Sequence, residues 1–243
     1  SHLFDELTCS HHEDRSIELF IYMNQKYNLN YSDEDIDCIR RIIMPNDLTH
    51  ITKKYLYQIV SNKNGIDVDR FDYIMRDTKM IGLNYGIEWL RIMKGSKISM
   101  NEIVYSEKNK LSIEDFFRTR YILYKEVYHH RTVRSIEYMI KEIFKSMDPI
   151  LSISEKIQTK NWEAFVCLQD WLIDIYSLHH QNDIVDRLKQ RKLYKLKKEY
   201  ICKTYGEIQT LKQQYVQLPY IIDESVIKYY ESESPKYYST RPI

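Results

Sequence analysis

Alanine is almost missing from this chain of 243 residues, where Ala164 stands alone. Glycine and proline are scarce as well, five of each, so tight turns are few and long helices are expected. The four cysteines, Cys9, Cys38, Cys167 and Cys202, are scattered without a C-x-x-C pair. That excludes a zinc ribbon and suits a reducing compartment. No apolar run approaches the ~18–20 residues that a membrane span needs, so a soluble protein without a membrane partner is expected. There is no excess charge either: 36 basic against 35 acidic side chains leave a net charge of +1. Bulk nucleic-acid binding of the histone type is thereby excluded, although a local basic patch is not. Walker A, G-x-G-x-x-G, H-E-x-x-H and G-x-S-x-G motifs are absent, as are internal repeats and low-complexity linkers.

What is present is tyrosine, 22 of them, within a chain that is 43% hydrophobic and 29% charged. Those proportions are those of a folded protein. The abundance of Ile, Lys, Asn and Tyr follows from AT-rich coding and carries no function. The length allows one large domain or two small ones with a substantial core.

Helices are expected at residues 11–26, opened by a Ser10–Glu13 capping box, and from Ser32 to near Pro45, where acids lead and Arg40 and Arg41 follow. A third is expected over Lys53–Val60. Asn64-Gly65 signals a turn, and Asp67 caps a helix from Val68 to Met80. Between Glu88 and Tyr105 the pattern predicts a β-hairpin turning at Lys94-Gly95-Ser96. Further helices are expected over Ser112–Met147, Asn161–Leu178 and Asp183–Lys192, then one or two strands over Tyr200–Leu218. The last 20 or so residues are expected to run over the surface. The fold class is therefore mainly α, with a small β-hairpin in the middle and a small α+β C-terminal part. Residues 1–150 and 151–243 form the expected divisions.

Three segments could carry chemistry. On the helix after Asp67, Asp69, Asp72, Tyr73, Arg76 and Asp77 fall at i, i+3, i+4, i+7 and i+8, one polar face. Carboxylates with an arginine between them could hold a metal and a phosphate; the bland alternative is a solvated face with an Asp72–Arg76 ion pair. In the second, Arg120, Tyr124, Tyr128 and Arg131 fall at i, i+4, i+8 and i+11, opposite the stripe Phe116, Leu123 and Val127. Two forks for phosphate and two flat rings for base or sugar would suit a nucleotide, and a cationic surface helix is the alternative. In the third, His11-His12-Glu13 opens a helix, where the dipole disfavours imidazolium and leaves a base or a phosphate partner; otherwise both histidines face water. His179-His180 point about 100° apart on a helix and make a poor bidentate site. Seven basic residues between Arg187 and Lys198, with Tyr194 and Tyr200 interleaved, could bind phosphates or single-stranded nucleic acid. A solvated helix end is equally compatible with them.

Residues 61–77, SNKNGIDVDRFDYIMRD, closely resemble the "SN…NGIDVD-x-x-DY-x-x-RD" segment of the HD-domain deoxynucleoside triphosphate triphosphohydrolases, in particular the eukaryotic branch with a sterile alpha motif. The likeness continues in SHLFD at residues 1–5, in His12-Glu13 with Ser16, in Thr119-Arg120 through Tyr128, His130 and Arg131, and in RKLYK at residues 191–195. It spans nearly the whole chain and implies an HD-domain-like helical core. It also implies a metal-dependent hydrolase that cleaves a deoxynucleoside triphosphate into deoxynucleoside and inorganic triphosphate. The alternative is a catalytically inactive module for nucleotide or single-stranded nucleic-acid binding, or for oligomerisation.

By the resemblance, Asp69 is a metal ligand, His12 acts at the α-phosphate, and His2 and Asp5 line the same site. Arg70, Tyr73, Asp77, Arg120, Tyr124, Tyr128 and His129 hold phosphates, sugar and base. Arg91 and Lys108 match residues of regulatory nucleotide sites between subunits. The implied cofactor is a divalent metal (Zn, Fe, Mg or Mn) that polarises a phosphoryl oxygen while His12 transfers a proton. Implied partners are a GTP or dNTP activator and further copies of the chain, in the nucleus or cytoplasm. Tyr124 stands where the family has a histidine, and His129 where it has a glutamine. The family's His-Asp doublet does not occur in the chain. Asp69 alone cannot hold a catalytic cation, which needs three or more protein ligands. The expectation is therefore the C-terminal part of a longer enzyme, cut just after that doublet.

Overall fold

The computed structural model describes residues 4–5, 10–45, 51–169, 171–219, 221–229 and 234–238. Helix α1 (His12–Tyr27) ends on Asn28 in the left-handed region. Its expected Ser10–Glu13 capping box does not form. Ser10 instead accepts from the buried Arg15 through its hydroxyl, at 2.8 Å, and through its carbonyl, at 2.6 Å. A buried guanidinium without acceptors would cost more than the cap contributes. Helix α2 (Asp33–Ile43) does open on a reciprocal capping box between Ser32 and Asp35. The helix expected over Lys53–Val60 shrinks to α3 (Lys54–Tyr57). The residues after it serve their neighbours: the Gln58 side chain accepts from the Ile103 amide at 2.9 Å, and the Ile59 carbonyl from the Val68 amide at 2.9 Å.

Helix α4 (Val68–Met80) is positioned by a buried turn rich in asparagine and aspartate. Asp67 caps it, accepting from the Arg70 amide at 2.9 Å and from the Asn62 amide at 3.1 Å. Asn64 accepts from the Ile66 amide at 2.9 Å, and Gly65 takes φ +79°, a conformation natural to glycine. Much of the SN-x-N-G-I-D motif is thus a backbone brace. Phe71 and Ile74 on the inner face of α4 enter the main core.

Helix α5 (Trp89–Lys94) precedes the hairpin of β1 (Ser96–Ser99) and β2 (Glu102–Ser106). The turn expected at Lys94-Gly95-Ser96 is a helix end, and the hairpin reverses at Met100-Asn101. Both residues there have positive φ, 47° and 64°, the twist that two-residue hairpins favour. The Asn101 side chain fixes that reversal, accepting from the Lys54 amide at 3.0 Å and donating to the Ile51 carbonyl at 2.8 Å. Gly95 is required by contact: a Cβ there would lie 2.0 Å from Asn109 Nδ2, which donates to the Arg91 carbonyl.

The long helix expected over Ser112–Met147 is two helices, α6 (Lys110–Leu123) and α7 (Arg131–Leu151), joined by a π-turn at Tyr124–Tyr128. Helix α7 also passes through Pro149 and closes when the Ser152 amide returns to Asp148. Asn161–Leu178 divides into α9 (Trp162–Phe165) and α10 (Leu172–His179), after the short α8 (Ile153–Gln158). Helix α11 (Asp183–Lys189) starts where expected and ends three residues short of Lys192.

The strands expected over Tyr200–Leu218 are instead α12 (Tyr205–Tyr215), capped by Thr204, which accepts from the Glu207 amide. The C-terminal β component is β3 (Tyr237–Tyr238), which joins the hairpin parallel to β2, Tyr105 opposite Tyr237. Nor do the described residues of the tail simply wander over the surface, since Tyr229 packs on the main core. The fold is mainly α with a small three-stranded sheet.

Two apolar clusters organise these elements. One gathers Phe71, Ile74, Ile92, Tyr105, Ile113, Phe116, Phe117 and Leu123. The other gathers Ile143, Phe144 and Met147 of α7 with Ile153, Ile157 and Val185.

Candidate functional site

Seven of the residues singled out from sequence converge where α4 meets α6 and the π-turn. Phe71 and Phe116, ring centroids 5.3 Å apart and edge to face, join the two helices from inside. On the polar side above them, Tyr128 donates to Asp77 at 2.5 Å. The Tyr128 ring lies 6.5 Å from that of Tyr73 and 5.1 Å from that of Tyr124. The Arg120 guanidinium sits 4.7 Å from the Tyr124 ring centroid, a cation–π arrangement. His129 stacks obliquely on Tyr124, and its Nδ1 meets the Tyr124 carbonyl at 2.9 Å. Arg70 enters from α4, bound to the capping Asp67.

The π-turn makes this grouping possible. The expected ladder holds from Arg120 through Tyr124 to Tyr128, each touching the next, but the widened turn then breaks the helix. Arg131 therefore opens α7 rather than prolonging the row. Arg120 is 9% exposed, a buried cation kept by neighbouring rings and by the Lys228 carbonyl, which accepts from Nη1 at 3.1 Å.

Burial above all keeps the phenols of Tyr73 and Tyr128 protonated. Burial pushes the Tyr73 phenol well above its ordinary range; Tyr124 adds to the shift while Arg120 and Arg70 oppose it. Burial, and then the hydrogen bond to Asp77, push Tyr128 higher still. Both phenols are therefore neutral donors at physiological pH. The cluster offers two guanidinium groups, phenolic donors and flat aromatic faces, which can bind phosphate and stack on a ring.

A second group forms at the start of α1. Asp5 accepts from His12 Nδ1 at 2.9 Å and from Arg15 Nη2 at 2.5 Å. A carboxylate on Nδ1 fixes the tautomer and leaves Nε2 to accept or deliver a proton. Burial pushes the Asp5 carboxyl up, but hydrogen bonds from His12 and Arg15 outweigh it and hold the pKa at about 2. The stability contributed by a depressed carboxylate is present above its unfolded value and lost as pH falls through the folded one. Urea unfolding should therefore show the gap between wild type and Asp5→Asn narrowing as pH falls from the ordinary 3.8 towards about 2. A gap that stays constant across that window would rule out the pairing.

Other expected site residues are placed less informatively. Asp69 is exposed in the first turn of α4. Among the described residues no group of three or more His, Cys, Asp or Glu could hold a metal ion, so the residues present do not fit a complete metal centre. His2 lies outside the described residues. Arg91 pairs with Glu88 at 3.0 Å and donates to the Lys108 carbonyl at 3.3 Å, so these two are neighbours. The bland Asp72–Arg76 ion pair does form, at 2.7 Å.

The basic stretch after α11 lines a groove of about 740 Å³ with the start of α7. Arg131, Arg187, Arg191, Lys192 and Lys195 contribute cations and Tyr194 a ring, over which Arg187 lies at 5.1 Å. Asp223 was not singled out from the sequence, yet it binds Arg134 and Tyr138 beside the cluster. No local pattern marks it, because its partners are 85–89 residues away.

The sequence of residues 87–218, more than half of the chain, matches a family model described as the HD associated region, and the chain belongs to that family. Among its relatives is the deoxynucleoside triphosphate triphosphohydrolase SAMHD1 homolog of Dictyostelium discoideum. It is 32% identical over 204 residues, covering 80% of this chain and 39% of that protein. The deoxynucleoside triphosphate triphosphohydrolase SAMHD1 of Mus musculus is 29% identical over 259 residues, covering 86% of this chain and 39% of that protein. The Homo sapiens protein of the same name is 32% identical over 188 residues, covering 69% and 29% respectively. The chain thus spans less than half the length of these relatives. No helix among the described residues is long and apolar enough to cross a membrane.

Proposed function

We propose that the chain belongs to a hydrolase that splits deoxynucleoside triphosphates into deoxynucleoside and inorganic triphosphate, and that it supplies the substrate-gripping part of the site. The observation that carries this reading is the convergence of Arg70, Tyr73, Asp77, Arg120, Tyr124, Tyr128 and His129 on one polar cluster. The activity for which the relatives are named agrees with it.

In this reading Arg70 and Arg120 neutralise phosphate charge. Asp77 holds Tyr128 in place, and the rings of Tyr124 and His129 flank sugar or base. His12, oriented by Asp5, exchanges a proton at Nε2 with the leaving or attacking oxygen. The divalent metal that such hydrolases use would act as a Lewis acid. Asp69 is the one ligand this chain is proposed to give it.

The same lack of a ligand group among the described residues favours one second reading, a nucleotide-binding module without turnover. Regulatory nucleotide at Arg91 and Lys108, self-association, and single-stranded nucleic acid in the groove of Arg187–Lys195 are further proposals. The groove supports the last of these with clustered cations beside a ring.

A longer protein that carries this chain together with the missing metal ligands, supplied with Mg²⁺, Mn²⁺, Fe²⁺ or Zn²⁺ and a deoxynucleoside triphosphate, is expected to release inorganic triphosphate, read by ion chromatography. Nucleotide binding without release selects the module. Absence of binding removes both readings.

A further inference from the structure

After α12 the chain returns across the candidate site as a strap, residues 221–229. Its first anchor is Asp223, which accepts from Arg134 Nε at 2.8 Å, from Arg134 Nη2 at 2.6 Å and from the Tyr138 hydroxyl at 2.8 Å. Arg134 and Tyr138 are one turn apart on α7, so the two-pronged clasp is held by a rigid element. The second anchor is Tyr229, whose ring lies 5.7 Å from that of Tyr121 and packs on the main core. Between them, the Lys228 carbonyl accepts from Arg120 Nη1 at 3.1 Å.

The consequence lies at Arg120. The guanidinium best placed to receive phosphate is already engaged, and by a neutral main-chain acceptor. A phosphate oxygen is a stronger acceptor for a guanidinium than an amide carbonyl, so the two compete for the same edge. The strap is tied by a charged clasp that a ligand at Arg120 does not touch. A ligand therefore binds fully only in the fraction of molecules whose strap has withdrawn, and its apparent affinity falls by that fraction.

We propose that residues 221–229 form an autoinhibitory latch, in which the Lys228 carbonyl occupies Arg120 until a polyphosphate displaces it and the Asp223 clasp sets how readily it yields. This rests on the nucleotide reading of the Arg120 cluster. The latch differs from a strap that merely completes the core, because a core strap would be tightened, not released, by a ligand beneath it.

Trypsin supplies the readout, since Lys228 is itself a cleavage site and its carbonyl is the bond at stake. Inorganic triphosphate is the probe, titrated calorimetrically against the full chain and added during brief proteolysis followed by mass spectrometry. In wild type, triphosphate should speed cleavage after Lys228 severalfold. Asp223→Asn should speed it without triphosphate and tighten triphosphate binding about tenfold, the effect of giving up one charge-assisted pair. Arg120→Gln should abolish the response to triphosphate. If triphosphate binds in an Arg120-dependent way yet leaves cleavage after Lys228 unchanged or slower, the latch is wrong and the pocket stands. If no binding depends on Arg120, the pocket reading fails and takes the latch with it. Should Asp223→Asn not fold, the wild-type proteolysis still decides.

Discussion

Arg120→Gln is expected to weaken binding of a deoxynucleoside triphosphate by about 100-fold, read by calorimetry on the purified chain. The substitution keeps length and a hydrogen-bonding end but removes the charge and the fork. Hydrogen bonds to charged groups are worth ~1.5–3 kcal/mol each, and losing one or two of them spans about one to four decades in affinity. Glutamine can still donate to the Lys228 carbonyl that Arg120 now serves, so the fold should survive. Arg76→Gln is the matching control. Arg76 is exposed and pairs with Asp72, and its loss should change affinity little. Equal effects at the two positions would place phosphate recognition away from Arg120.

Phe116→Ala is expected to destabilise the fold by ~3–5 kcal/mol, the range for deleting a buried aromatic ring. Phe116 is fully buried, edge to face with Phe71 at 5.3 Å and with Phe117 at 5.2 Å. It is the packing bond between α4 and α6, so its loss also loosens the two helices that bring Arg70 and Arg120 together. A domain has only ~5–15 kcal/mol of stability in all. The urea midpoint should therefore fall steeply, and nucleotide affinity should fall with it. Leu111→Ala, at a position 74% exposed on the same helix, should cost under ~0.5 kcal/mol. A small shift for Phe116→Ala would mean that the two helices are joined by something other than this aromatic contact.

Features governed by neighbours in sequence were legible. Asp67 announced the start of α4, and Ser32 that of α2, because a cap needs only the next three residues. Tyr73 with Asp77, and Arg120 with Tyr124 and Tyr128, lay on two faces at helical spacing, whereas Arg70 and His129 came from the resemblance alone and Arg131 leaves the row. The resemblance of residues 61–77 points to the same family that the relatives show. The reading failed where distant contacts decide. Ser10 looked like a cap until buried Arg15 claimed it. The π-turn at Tyr124–Tyr128 has no glycine or proline to betray it, and a 3.6-residue period cannot reveal one extra residue in a turn. Strands were expected over Tyr200–Leu218, although Thr204 and Glu207 spelled a helix start three residues apart. The partnership of β2 with β3 joins Tyr105 to Tyr237, and no local signal carries such information.

That long reach has a temporal side. During synthesis, α6, the π-turn and α7 leave the ribosome well before Asp223, which follows Arg134 by 89 residues. At ~5–20 residues per second the delay amounts to several seconds, far longer than helices need to form. A nascent chain therefore exposes its arginine and tyrosine rings bare, with the carbonyl of Lys228 still to come.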